Sequence, residues 1–216
     1  MKICIVGGMG KLGTSIVNEI KDTEYKIQII DKKINTDVND IDPNCLCVID
    51  ASNHTNTIKL VKFCVKHKIA LIIATTGHTQ REQKEIDRQK TNTLIIQSPN
   101  FSPGINIISK IISLFSQYKN LDISIFECHH KTKQDSPSGT AIYLQKIIKN
   151  NLNITPEIVS SRIGNTVGIH KITFSTPDEE IIITHKALNR KPFSIGITNE
   201  INKICKNIKE INREKY

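Results

Sequence analysis

The sequence predicts an α/β protein in two parts: a parallel sheet covered by helices on both faces, then an α+β part built on a mixed sheet. Three observations carry this expectation. Short apolar runs alternate with amphipathic stretches through the first part; the pattern changes after Pro103-Gly104; and no apolar run reaches the roughly 18 residues a membrane span requires.

The apolar runs at 3–6, 27–30, 46–49, 71–73 and 94–96 predict five buried strands, and residues 12–20, 55–65 and 79–90 between them carry helical spacing. Strands that alternate with helices imply βαβ units, whose parallel sheet is buried on both faces. Residues 105–115 return to helical spacing, and 121–128 alternate as a strand. A polar Gly/Pro loop over 131–139 then leads into a helix at 140–148. Residues 157–187 read mostly as strand, punctuated at Gly164, Gly168 and Pro177, with helices expected on one face of a single sheet. The tail, 193–209, is helical in pattern. The expected domains are 1–103, with the tail 193–216 packing back on it, and 104–192.

Composition narrows the function classes. The chain has 216 residues, 38% hydrophobic and 24% charged, which suits a folded, water-soluble protein. Its opening residues enter a buried-strand pattern without the h-region or cleavage site of a signal peptide, so a cytoplasmic protein with no membrane partner is expected. Six scattered cysteines read as small hydrophobes rather than a disulfide framework. The Cys45-x-Cys47 pair has no second pair to complete a zinc site, and no metal is expected. The net charge of +9 is spread along the whole chain, aromatics are 5% and Trp is absent. That distribution does not point to a nucleic-acid partner.

The first strand runs into Gly7-Gly8-Met9-Gly10-Lys11-Leu12-Gly13 and then a helix. Glycines three apart allow a tight turn, close backbone approach to a pyrophosphate, and close helix–strand packing. The phosphate then sits at a helix N-terminus, where unpaired N–H groups and the dipole favour an anion. The first part is thus Rossmann-like in pattern. Asp31 ends the next strand, about 20 residues on, where a carboxylate accepts from the adenosine ribose. Lys32 and Lys33 follow and suit a 2′-phosphate, a pairing that tolerates NADH, NADPH or both. Thr75-Thr76-Gly77 and Ser98-Pro99-Asn100-Phe101 follow later strands, at the carboxyl edge where such sheets bind ligands.

The second part is richest at Glu127-Cys128-His129-His130-Lys131-Thr132-Lys133-Gln134-Asp135-Ser136-Pro137-Ser138-Gly139-Thr140-Ala141. Ser138-Gly139-Thr140 opens a helix whose N-terminus can cradle a carboxylate, and Lys133 adds a point charge. A histidine beside it supplies a proton donor that titrates near neutrality. Adjacent histidines on a strand point to opposite faces, so joint metal ligation by His129 and His130 is awkward. Three rival classes remain: a dehydrogenase with a nucleophilic cysteine such as Cys128, a metal-dependent hydrolase using His129, His130, His170 or His185, and a non-catalytic nucleotide sensor.

These segments together resemble the 4-hydroxy-tetrahydrodipicolinate reductase (dihydrodipicolinate reductase) family. The resemblance runs through the Gly7 to Gly13 loop, Ala74-Thr75-Thr76-Gly77, Pro99-Asn100-Phe101-Ser102 and above all the Glu127 to Ala141 stretch. It continues in Arg162-Ile163-Gly164-Asn165-Thr166-Val167-Gly168-Ile169-His170, in Thr184-His185-Lys186-Ala187 and in Arg190. It implies a Rossmann domain, a sheet domain that builds a homotetramer, and a small dicarboxylate substrate reduced by NADH or NADPH in lysine and diaminopimelate biosynthesis. It assigns His129 and Lys133 to proton transfer, and His130, Lys133, Ser138, Gly139 and Thr140 to the substrate carboxylates. Cofactor contacts implied by it are Gly7, Gly8, Met9, Gly10, Lys11, Leu12, Asp31, Lys32, Ala74, Thr75, Thr76, Ser98, Pro99, Asn100 and Phe101. The chain departs from the family pattern between Asp31 and Cys45, where a helix or loop is reduced.

Overall fold

The five apolar runs of the first part form strands β1 (Lys2–Val6), β2 (Lys26–Ile30), β3 (Cys47–Asp50), β4 (Ala70–Ile73) and β5 (Ile95–Gln97). The computed structural model describes residues 1–118 and 120–213, so residues 214–216 of the expected tail lie outside the described residues. It divides into two units, Met1–Phe101 with the chain from Phe193 onward, and Ser102–Pro192.

In the first unit the strands make one parallel sheet, ordered β2-β1-β3-β4-β5. Helices α1 (Lys11–Ile20), α2 (His54–His67) and α3 (Gln80–Gln89) connect them. Successive side chains of a strand face opposite ways, and both ways are apolar here. Cys4, Val6, Val48, Leu71 and Ile73 bury one face with Leu60, Val61 and Cys64 of α2 and Ile86 of α3. Ile3, Ile5, Ile49 and Ile72 bury the other with Ile16 and Ile20 of α1. Helix α6, Lys191–Arg213, joins that second layer through Ile197, Ile201 and Ile204, a helical stripe at i, i+4 and i+7.

Gly196 sets how closely α6 approaches. A Cβ there would fall 1.7 Å from the Phe101 carbonyl oxygen, so the backbone or the helix would have to move. Gly196→Ala is expected to destabilise the unit by about 1–3 kcal/mol, as overpacking does. The melting temperature should fall by several degrees, and an unchanged value would contradict this helix placement.

No α-helix links β2 to β3. Two 3₁₀ turns, Lys32–Ile34 and Val38–Asp40, make the crossover instead, capped by the Asp31 and Asp37 side chains. This is the abbreviated segment of the sequence reading, and it leaves β2 at the edge of the sheet.

The second unit starts with α4 (Pro103–Leu114) and continues through β6 (Asp122–His129), α5 (Gly139–Leu152), β7 (Glu157–Arg162), β8 (Gly168–Ser175) and β9 (Glu180–Ala187). The sheet is ordered β7-β6-β8-β9; β7 runs parallel to β6 and the other pairs are antiparallel. Alternation on β6 and β8 buries Ile123, Ile125, Ile172 and Phe174 against Ile105, Ile108 and Ile112 of α4 and Ala141, Leu144 and Ile148 of α5. Phe115 stacks on Phe174 with ring centroids 3.9 Å apart. Among the described residues no helix is long and apolar enough to cross a membrane.

Candidate active site

In the first unit the glycine loop turns at the carboxyl end of β1. Gly7 takes φ +80, and a Cβ on Gly13 would lie 2.1 Å from the Gly7 carbonyl oxygen, so α1 starts as close to the strand as its backbone allows. The N-cap of α1 is Gly10, with no side chain capping it. The first-turn N–H groups therefore point outward without an intrahelical acceptor, which suits a pyrophosphate. Asp31 accepts from the Met9 N–H at 3.0 Å and the Lys33 N–H at 3.0 Å, tying this loop to the end of β2. Lys33 Nζ donates to the Met9 carbonyl at 3.4 Å, while Lys32 is exposed.

The other two candidate loops lie along the same edge. Ala74 donates its N–H to the Asp50 carbonyl, and the Thr75 hydroxyl bonds to the Asp50 carboxylate at 2.8 Å. Asp50 is fully buried and also accepts from Ser52 and Thr57, so Thr75 belongs to a packed hydroxyl cluster while Thr76 is exposed. Ser98 Oγ donates to the Asn100 carbonyl at 2.7 Å and shapes the turn through the exposed Pro99. The Phe101 ring lies in the core with Ile197 and Ile201, and its carbonyl lies against Gly196 of α6.

In the second unit the apolar layer of β6 and β8 gives way to a polar cluster at one end. Glu127 and His129 continue the face of Ile123 and Ile125, by the two-residue period of the strand. Sheet register sets Glu127 beside His170, and His170 beside His185. Glu127 is fully buried and takes four donors. Arg162 binds it with both terminal nitrogens, at 2.8 and 2.9 Å; the Ser138 N–H donates at 3.1 Å, and His129 Nδ1 lies 2.6 Å away. Burial by itself raises the Glu127 pKa, but Arg162 and the other donors outweigh it and hold it near 2. A carboxylate ionised at neutrality can only accept. The shared proton therefore resides on His129 Nδ1, and Nε2 is the nitrogen left to exchange a proton with a ligand.

Burial lowers the pKa of His129, and Lys133 and Arg162 add to this, against the opposing pull of Glu127. Burial and the neighbouring His129 and His185 drive His170 down to about 3, so its ring is neutral. Its Nε2 lies 3.1 Å from the Ser138 hydroxyl, which also caps α5 by accepting from the Ala141 N–H. The cap of α5 is thus fixed to the histidine row. Lys133 Nζ sits 2.6 Å from Asp135 Oδ1, and Asp135 Oδ2 accepts from the Gly139 N–H at 3.3 Å. His130 Nδ1 lies 2.9 Å from the Thr132 hydroxyl. Thr140, in the first turn of α5, is buried.

Cys128 lies on the opposite face of β6 from His129 and is buried, as are all six cysteines, each of them free. Among the described residues no three His, Cys, Asp or Glu side chains gather as metal ligands. The sequence assigns roles to His129, Lys133 and Ser138 but none to Glu127, which binds His129 and the Ser138 N–H, or to Arg162, which clamps Glu127. One signal was present: Glu127 precedes His129 by two positions on a strand, which puts both on one face.

Comparison with known proteins draws on the whole chain. The family model described as dihydrodipicolinate reductase, N-terminus, matches residues 1–101, and the one described as dihydrodipicolinate reductase, C-terminus, matches residues 104–213. This chain belongs to the dihydrodipicolinate reductase family. A 4-hydroxy-tetrahydrodipicolinate reductase of Buchnera aphidicola is 32% identical over 90% of this chain and 88% of its own length. One from Wigglesworthia glossinidia brevipalpis is 41% identical over 75% of this chain, a match that spans 63% of that relative. Another, from Rickettsia rickettsii, is 34% identical over 91% of this chain and 90% of its own. Among solved structures, a dipicolinate-bound dihydrodipicolinate reductase from a Paenisporosarcina species superposes with a TM-score of 0.74 over 94% of each chain, at 22% identity. Aspartate dehydrogenase from Thermotoga maritima shares the fold more loosely, with a TM-score of 0.58. Within this family the two parts correspond to the two matched regions, which meet between residues 101 and 104.

Proposed function

We propose that the chain is a 4-hydroxy-tetrahydrodipicolinate reductase, reducing 4-hydroxy-tetrahydrodipicolinate with NADH or NADPH to tetrahydrodipicolinate and water. The observation that carries the reading is the His129–Glu127–Arg162 cluster beside the Lys133 and α5 N-terminal cradle, in a chain of this family. The bound nicotinamide supplies the hydride. The chain supplies the rest. Residues 7–12 at the start of α1 hold the pyrophosphate, and Asp31 with Lys32 takes the adenosine end. Ala74 to Thr76 and Ser98 to Phe101 line the same edge of the sheet. In the second unit Lys133, Ser138, Gly139, Thr140 and His130 receive the two carboxylates of the substrate.

Hydride arrival at C4 accompanies loss of the 4-hydroxyl as water, and electron density moves through the conjugated ring system. His129 Nε2 exchanges the proton that this requires, and Glu127 stabilises the imidazolium whenever it forms. Lys133, the second donor, gives the proton that leaves with the 4-hydroxyl as water. The ring proton exchanged through His129 is lost and regained, so one proton is consumed per hydride. The open face of the β6–β9 sheet exposes Phe126, Val159 and Ile182, a surface that suits assembly into a homotetramer. Six free, buried thiols accord with a reducing, cytoplasmic setting.

The test couples the protein to dihydrodipicolinate synthase with pyruvate and aspartate semialdehyde, and follows the absorbance of NADH or NADPH. Oxidation that needs the synthase supports the reading, and none from folded protein refutes it. Lys32→Ala is expected to lower NADPH use relative to NADH several-fold, because a 2′-phosphate then loses a point charge. An unchanged ratio would remove Lys32 from the cofactor site.

A further inference from the structure

The loop that leads into α5 already brings a carboxylate to the cradle. Asp135 Oδ1 is 2.6 Å from Lys133 Nζ, and Oδ2 accepts from the Gly139 N–H at 3.3 Å. These are two of the groups assigned above to a substrate carboxylate. The backbone of Asp135 is anchored separately, its carbonyl accepting from Arg162 Nη2 at 2.7 Å, and Arg162 is itself clamped on the buried Glu127. The Asp135 side chain is 50% exposed and Lys133 21%, so the carboxylate can swing away while its main chain stays in place.

We propose that Asp135 is an internal competitor for the carboxylate subsite: its side chain fills the Lys133–Gly139 cradle and is displaced when a dicarboxylate ligand binds. The inference rests on the cradle assignment of the proposed function. A ligand carboxylate that enters here replaces one anion by another, so its gain at this subsite is reduced by the loss of the tethered pair. A tethered group acts at high effective concentration, which a freely diffusing monoanion does not match. A dicarboxylate held at a second point recovers the difference. Asp135 thereby sets both the affinity of the site and its preference for dicarboxylates over simple anions.

The experiment is calorimetric titration of the full chain with dipicolinate, and separately with sulfate. D135N and D135S are expected to bind dipicolinate roughly three- to tenfold more tightly than the parent, the worth of a half-exposed ion pair plus one hydrogen bond to charge. Sulfate should gain at least as much. The gain should vanish when D135N is placed in a K133A background, because the freed ammonium is its source. D178N, which changes net charge equally at an exposed distant position, should leave binding unchanged. Equal or weaker dipicolinate binding by D135N and D135S overturns the proposal, as does a gain that survives in the K133A background or appears in D178N. Turnover is scored apart from binding. A tightened D135N without any NADH or NADPH oxidation by the parent would sink the reductase reading alone, and normal turnover with untightened D135N would sink the competitor alone.

Discussion

His129→Gln is expected to lower kcat by about a hundred- to ten-thousand-fold, the range that loss of a positioned proton donor produces. Dipicolinate binding should change only a few-fold, because the proposed cradle for the carboxylates is Lys133 and the start of α5. The matched variant Glu127→Gln isolates what the buried carboxylate does. Glu127 raises the His129 pKa through its hydrogen bond and charge, against burial, Lys133 and Arg162, which lower it. Without that charge the imidazolium is less stable. The limb of the kcat/KM profile that belongs to His129 should therefore move to lower pH in Glu127→Gln, and should be missing in His129→Gln. An unshifted limb would mean that Glu127 does not tune His129. A His129→Gln enzyme with near-normal kcat would remove the histidine from the chemistry.

The strands and helices were legible because their periods are local. A buried parallel strand such as β4 is four apolar residues in a row, and β6 alternates until it reaches Glu127 and His129. The glycine loop was legible because each glycine answers a steric demand that a few neighbouring residues impose. What escaped depends on long-range register. Arg162 reaches Glu127 because β7 pairs in parallel with β6 and sets His129 opposite Arg162, a partnership 35 positions apart in sequence. Asp50 claims the Thr75 hydroxyl for the same kind of reason, since adjacent ends of β3 and β4 bring the two together. Phe101 reads as part of an edge loop, but α6 returns from 95 or more positions away to cover its ring. Asp135 carries no role in the sequence analysis, because nothing in its neighbours announces that Lys133 and Gly139 converge on it.

Arg162→Met is expected to destabilise the second unit by about 3–5 kcal/mol, the cost of leaving a buried carboxylate without its counter-charge. Burial would then act on Glu127 with less opposition, and its pKa would rise from near 2 towards the ordinary carboxylate range. The parent sets the sign of the pH dependence. A carboxylate whose folded pKa lies below its unfolded value of 4.5 contributes stability that is complete above about 4.5 and is lost as pH falls towards 2. In Arg162→Met that acid-dependent loss should shrink, because the folded and unfolded values converge. Restoring charge balance in the double variant Glu127→Gln/Arg162→Met should recover part of the stability, since a neutral amide is far cheaper to bury than an unpaired charge. Urea unfolding at pH 7 and pH 4 reads all three forms. The pair would prove dispensable to the fold if Arg162→Met unfolded with the parent's midpoint at both pH values. Recovery in the double variant without recovered kcat would assign the pair two separable tasks, holding the sheet end together and orienting His129.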